Sequence, residues 1–202
     1  MRAQRAVRRY RPDPVPDDLL LHLLDLAIRA PSGTNQQGWE FVVVRDREQM
    51  RRLGRLNHFP ARVLEFLGRL LRRRDAGSRR VLDGLRWQAD HFDENPVVVV
   101  ACYRGLPLPF PLLATASYFA SIYPAVQNLL LAASSVGLGA VLITLPLWRV
   151  GALRRILGLP WNVTPCALIP MGWPVRPPGP NRRGPVQRVV HLDRFGHPFA
   201  PP

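Results

Sequence analysis

The chain has 202 residues, 47% hydrophobic and 21% charged, which excludes a disordered polypeptide and suffices for one domain, 1–202, with a substantial core. All 28 basic residues are arginines, set against 14 acidic residues for a formal net charge of +14, so anionic ligands are favoured, and nucleic acid is among them. The two cysteines, Cys102 and Cys166, sit in separate apolar runs without metal-ligand spacing, which argues against a zinc centre and suits a reducing compartment, here the cytoplasm.

Residues 2–16 are basic and proline-punctuated, with no apolar stretch of the kind a secretory signal needs. Asp17 and Asp18 open a helix whose apolar face is Leu19, Leu20, Leu23, Leu24, Ala27 and Ile28. Pro31 stops it, and Ser32, Gly33, Thr34 and Asn35 follow as a loop of small hydrogen-bonding groups, with Gly33 expected to take a turn that a β-carbon would resist. Trp39–Val44 is predicted as a buried strand and Arg47–Arg55 as a short helix. Residues 60–92 are predicted helical and basic, with Val63, Leu64, Leu67, Leu70 and Leu71 on one face and a break at Gly77-Ser78. Val97–Tyr103 reads as a central strand.

The 44 residues from 105 to 148 contain no charge and no histidine. Pro107, Pro109, Pro111 and Pro124, with Gln127 and Asn128, argue against a membrane span and for a helix buried inside the domain or at a subunit interface. Gly137-Leu138-Gly139 ends that helix, and Ala140–Thr144 is predicted as a strand. Val150–Leu157 follows as a helix closed by Gly158, and Cys166–Met171 as a last central strand. Residues 175–185 form a Pro/Arg/Gly arm, and Val189–Leu192 is a terminal strand or docking segment.

Four blocks in this order resemble the nitroreductase family of flavoproteins. Gln4-Arg5-Ala6-Val7-Arg8 with Pro14-Val15-Pro16 is similar to the family's opening Arg-Arg-Ser-x-Arg and its Pro-Val-Pro helix start. Pro31–Trp39 is similar to Pro-Ser-x-x-Asn-x-Gln-x-Trp. Gln127–Ala133 with Gly137-Leu138-Gly139 forms the third block. Leu157-Gly158-Leu159-Pro160, Gly172-Trp173-Pro174 and Arg182-Arg183-Gly184-Pro185 form the fourth. Residues 54–94 match poorly, in the region where the family shapes its substrate pocket. The resemblance implies an α+β three-layer sandwich, a mixed and mainly antiparallel sheet flanked by helices, assembled as a homodimer with FMN held between the chains and a C-terminal arm over 175–202.

The resemblance also distributes roles. Arg5 and Arg183, then Arg182, match positions that meet the FMN phosphate, and Arg8 matches the position at the flavin N1–C2 edge. Pro31, Ser32, Gly33 and Asn35 match the loop that contacts the isoalloxazine from the partner chain. Ile143, Thr144 and Leu145 match the segment lining its other side. Ala6 stands where the family has a serine, which removes a phosphate hydroxyl, and Gly38 replaces a proline with little expected effect. The implied activity is an NAD(P)H-dependent oxidoreductase passing hydride through FMN to a nitroaromatic or quinone, with no catalytic base and no metal, because the cofactor carries the chemistry. No membrane or nucleic-acid partner is expected. The alternatives are a basic nucleic-acid-binding protein or a flavin-binding family member without turnover.

Overall fold

The computed structural model describes residues 1, 4–70, 76–105, 111–180 and 183–199; Leu71, Pro107, Pro109 and Arg182 therefore lie outside the described residues. Among them, helices α1 (Asp17–Ala27), α2 (Arg47–Leu70), α3 (Ala76–Asp90), α4 (Pro111–Ser135) and α5 (Val150–Leu157) accompany strands β1 (Trp39–Val44), β2 (Val97–Arg104), β3 (Gly139–Ala140) and β4 (Val163–Gly172). The sheet order is β1-β2-β4-β3, every neighbouring pair antiparallel.

The apolar run of β2 explains the layering. Its residues are buried from Val97 to Tyr103, as a strand covered on both faces requires. Successive side chains alternate between faces. Val97, Val99, Ala101 and Tyr103 pack with Leu20 and Leu23 of α1 and Ile122, Val126 and Leu129 of α4. Val98, Val100 and Cys102 pack on the other side with Met50, Leu53 and Leu56 of α2 and Leu153 of α5. The result is the expected three-layer α+β arrangement. The uncharged segment supplies α4, which starts at Pro111 and continues through Pro124. No described helix is long and apolar enough to cross a membrane.

Four expectations are corrected. The short helix Arg47–Arg55 continues through buried Pro60 to Leu70, because Met50, Leu53 and Leu56 anchor it against the sheet and hold it past the missing amide hydrogen. Gly77 and Ser78 do not break a helix; they lie in the first turn of α3. The strand expected over Ala140–Thr144 is cut to Gly139–Ala140, with Ile143 returning only as an isolated bridge to Leu168. The register explains the cut. Val141 donates to the carbonyl oxygen of Pro170 at 3.2 Å, but Pro170 has no N–H to complete the exchange. The segment 189–192 is not a strand of the sheet either. It follows a 3-10 turn at Val186–Arg188 and pairs only locally, His191 with Pro198.

Candidate active site

The first part of the site is the N-terminal segment, laid along the outer edge of β3. Ala6 forms a parallel bridge with Ala140, and the Val7 amide donates to the Ala140 carbonyl oxygen at 3.2 Å. This approach requires the glycine at 139, since a Cβ there would stand 2.6 Å from Val7 Cγ1 and 2.7 Å from Val7 Cβ. The Tyr10 hydroxyl donates to the Val7 carbonyl oxygen at 2.5 Å and lies 2.9 Å from that of Pro170. Burial pushes the Tyr10 hydroxyl far above its ordinary pKa, so it stays a neutral donor.

Around Tyr10 the chain pairs with the segment that leaves β4. Arg11 donates to the Trp173 carbonyl oxygen at 2.7 Å and Val175 to that of Arg9 at 3.2 Å. Between the two segments opens a cavity of about 480 Å³, walled by Arg5, Ala6, Arg8 and Arg9 on one side and by Arg176 and Gly179 on the other. Among the described residues no carboxylate lines it. Arg8 is half-buried, and its Nε is enclosed without a hydrogen-bond partner. Burial lowers the Arg8 pKa, partly offset by the nearby Tyr10 oxygen, but a guanidinium remains charged at neutral pH. Its side chain runs over Gly84 of α3, with Cδ 3.7 Å from where a Cβ would stand. The Arg9 guanidinium lies 4.8 Å from the centre of the Trp87 ring, which in turn stacks on His91 at 4.6 Å. Helix α3, from the segment with the poorest family match, thus backs the arginines.

The second part is the loop between α1 and β1, which is fastened to α4. Gly33 donates to Ser121 Oγ at 3.0 Å, and Trp39 Nε1 donates to the Ser121 carbonyl oxygen at 3.0 Å. The Ser32 hydroxyl oxygen accepts from the Gln37 amide at 3.0 Å, and Asn35 Oδ1 accepts from Gln37 Nε2 at 3.2 Å. Gly33 does not take the left-handed turn expected of it. That conformation falls instead on Thr34 (φ 50°), Asn35 (φ 54°) and Gln37 (φ 50°). Asparagine tolerates this region, whereas β-branched threonine is strained there, and such strain concentrates at functional loops. Gly38 matters more than expected, because a Cβ there would meet the Arg104 carbonyl oxygen at 2.7 Å and Tyr103 Cζ at 2.8 Å.

Arg5, Ala6 and Arg8 therefore come together, while Pro31, Ser32, Gly33 and Asn35 do not line their cavity within one chain. Ile143 is buried in the core between sheet and α2, Thr144 is exposed, and Leu145 is half-buried at the start of a 3-10 turn. Arg183 is exposed and outside the cavity wall. Sequence reasoning missed Arg176, Tyr10 and Ser121. Arg176 had a signal, being two residues beyond Gly172-Trp173-Pro174; Ser121 had only its position as one small polar residue in an apolar run.

Ion pairs run along α2 and reach its neighbours, though arginines outnumber carboxylates on α2 and α3. Glu48 pairs with Arg51, Arg52 and Arg55, Arg51 also reaches Asp93 at 3.1 Å, and His58 sits 3.6 Å from Asp90.

A sandwich with an arginine cavity at one sheet edge and a strained polar loop fastened to its long central helix defines a class of enzyme, and comparison with known proteins places it. The nitroreductase family profile matches residues 1–173. The chain is similar to an NADH dehydrogenase from Thermus thermophilus, 33% identical over 93% of this chain and 91% of that protein. It is also similar to an iodotyrosine deiodinase from Thermotoga neapolitana, 27% identical over 86% of each. In fold it resembles the NADPH:FMN oxidoreductase of Vibrio harveyi solved with NAD+, with a TM-score of 0.74, 20% identity, and coverage of 97% of this chain and 76% of that one. The chain belongs to the nitroreductase family, and it is an oxidoreductase.

Proposed function

We propose that the protein is an FMN-dependent oxidoreductase that passes hydride from NAD(P)H to an electron-poor small molecule such as a nitroaromatic or quinone, acting as a cytoplasmic homodimer. The observation that carries this reading is the cavity walled by Arg5, Arg8, Arg9 and Arg176, with Arg8 Nε buried and unpaired. A buried donor without an acceptor is costly unless a ligand completes it. A phosphate ester with an acceptor-rich ring edge has the complementary chemistry, so the residues present fit FMN.

Bound flavin supplies the centre that takes up and releases hydride, so the protein needs no acid–base pair of its own. Arg5 and Arg183, and Arg182 by the family resemblance, would hold the phosphate, with Arg183 reaching it from outside the cavity wall. Arg8 would meet the N1–C2 edge of the bound ring, where its charge would favour negative charge. Pro31, Ser32, Gly33 and Asn35 would contact the ring from the second chain, and Ile143, Thr144 and Leu145 would line its other side. The exposure of the loop residues Gly33 and Asn35 in one chain supports this division of labour. Tyr10 and Gly139 act on the cofactor only through the segment they hold in place.

Purified protein incubated with FMN and gel-filtered is expected to retain the flavin absorbance bands, and anaerobic NADH or NADPH is expected to bleach them. A protein that elutes colourless refutes the cofactor. One that stays yellow with both nicotinamides is a flavin binder without turnover.

A further inference from the structure

The register between the N-terminal segment and the chain after β4 puts a second arginine where the sequence motifs put none. Tyr10 bridges Pro174 in antiparallel fashion. Carrying that register outward sets Arg8 opposite Arg176 and Arg5 opposite Gly179. The second pairing is visible, since Arg5 Nη1 lies 3.6 Å from the Cβ position of Gly179. Like charges opposite one another on paired segments repel. Some arginines elsewhere sit against carboxylates, such as Arg45 on Asp17 at 2.6 Å and Arg104 on Glu40 at 2.6 Å. Around this cavity Arg5, Arg8, Arg9 and Arg176 have no carboxylate partner among the described residues. One face of the Arg9 guanidinium is spent on Trp87, which leaves its N–H edge for a ligand.

We infer that Arg176, with Arg9, forms an anion subsite of this cavity that takes a phosphomonoester. The inference rests on the cofactor reading above and extends it to residues outside the phosphate arginines the family resemblance supplies. It also accounts for Ala6, because a guanidinium from the opposite segment replaces the donor that a serine hydroxyl would have given. Two ligands of the proposed reaction can bring a phosphomonoester: the cofactor through its terminal phosphate, and NADPH through its 2′-phosphate, which NADH lacks.

Arg176 is exposed, so Arg176→Ala is not expected to disturb folding. Affinities for FMN and riboflavin, and the ratio of kcat/KM for NADPH over NADH, are measured for the wild type, Arg176→Ala, Arg176→Lys and Arg149→Ala. Arg149 is an exposed arginine outside the cavity and controls for net charge. If the cofactor phosphate is the occupant, Arg176→Ala weakens FMN by about tenfold or more, leaves riboflavin unchanged, and is partly rescued by lysine. If the donor phosphate is the occupant, FMN affinity holds and the NADPH preference falls by a similar factor. Unchanged FMN affinity together with an unchanged NADPH/NADH ratio overturns the inference. Should the wild type bind no flavin, the cofactor reading fails by itself. The subsite is then tested by inorganic phosphate: it survives only if phosphate raises the melting temperature of the wild type and not of Arg176→Ala.

Discussion

Replacing Gly139 with alanine tests whether the N-terminal segment is positioned as described and whether that position serves ligand binding. The new Cβ would stand 2.6, 2.7 and 3.0 Å from Val7 Cγ1, Cβ and Cγ2. A rotamer change cannot relieve this, because Val7 Cβ is itself crowded and moves only with the backbone. The backbone in turn is held by the Val7–Ala140 hydrogen bond and by Tyr10. Overpacking of this kind costs about 1–3 kcal/mol. For a chain of this size that lowers the melting temperature by about 2–12 °C. Displacement of the segment also carries Arg5 and Arg8 with it. Loss of one charge-assisted hydrogen bond, about 1.5–3 kcal/mol, weakens FMN by about 10–150-fold. Thermal melting by circular dichroism and FMN titration by fluorescence quenching, both well below the transition, measure the two effects separately. Gly151→Ala serves as the control, because its Cβ meets nothing within 4 Å. An alanine variant at 139 that melts with the wild type and binds FMN equally well would refute the assigned approach.

Other consequences follow from single contacts. Gly38→Ala drives a Cβ to 2.7 Å from the backbone oxygen of Arg104, and is expected to cost about 1–3 kcal/mol in a denaturant titration, whereas a merely permissive glycine would show little change. Arg8→Ala is expected to lower the flavin midpoint potential by about 30–60 mV, from loss of about 1.5–3 kcal/mol at a charged ring edge; an unaltered potential removes Arg8 from that edge. Burial raises both Cys102 and Cys166 to about 12. Each thiol keeps its proton in the folded chain at pH values where the unfolded chain has lost it. Their contribution to stability is therefore whole below the unfolded thiol range and is lost as pH rises towards about 12. A Cys102→Ala/Cys166→Ala variant is expected to show a shallower alkaline decline in urea-unfolding free energy than the parent, and an identical slope contradicts the assignment.

The central strands were readable because burial writes itself into composition. Val97–Tyr103 is an uninterrupted apolar run and is buried throughout. Trp39–Val44 is a strand as expected but not the buried one expected: it forms the sheet edge, with only Val44 buried and Val43 exposed. Errors arose where a local rule met a tertiary contact. Pro60 and Pro124 are breakers by propensity, yet each lies inside a helix whose apolar face is clamped to the sheet. The strand after Gly139 was cut short by Pro170 on the facing strand, which no window around residue 140 contains. The site was legible to the same extent. Arg5 and Arg8 stand in a motif, and the structure places them on one cavity. Arg176 stands in a proline-rich arm with several other arginines, and only the pairing of Tyr10 with Pro174 singles it out. Gly38 was undervalued because its role lies entirely in a contact with Tyr103 and Arg104, 65 residues or more away in the chain.

The separation of the Ser32–Asn35 loop from the arginine cavity is the feature a homodimer must resolve. Within one chain the loop is held in strained backbone and fastened to α4, and it does not line the arginine cavity. If the site joins the loop of one chain to the arginines of another, defects in the two halves must complement. Arg8→Ala and Asn35→Ala are each expected to be impaired. Unfolding an equal mixture and refolding it produces hybrid dimers in which one site carries both changes and the other carries neither. Random reassembly makes about half the dimers hybrid, so about a quarter of all sites regain wild-type composition. NAD(P)H oxidation by the refolded mixture is then expected to approach about a quarter of the wild-type rate, well above the mean of the two parents when both are nearly inactive. A mixture that never exceeds that mean shows that loop and arginines act on one ligand within a single chain, or on different ligands, and removes the shared site.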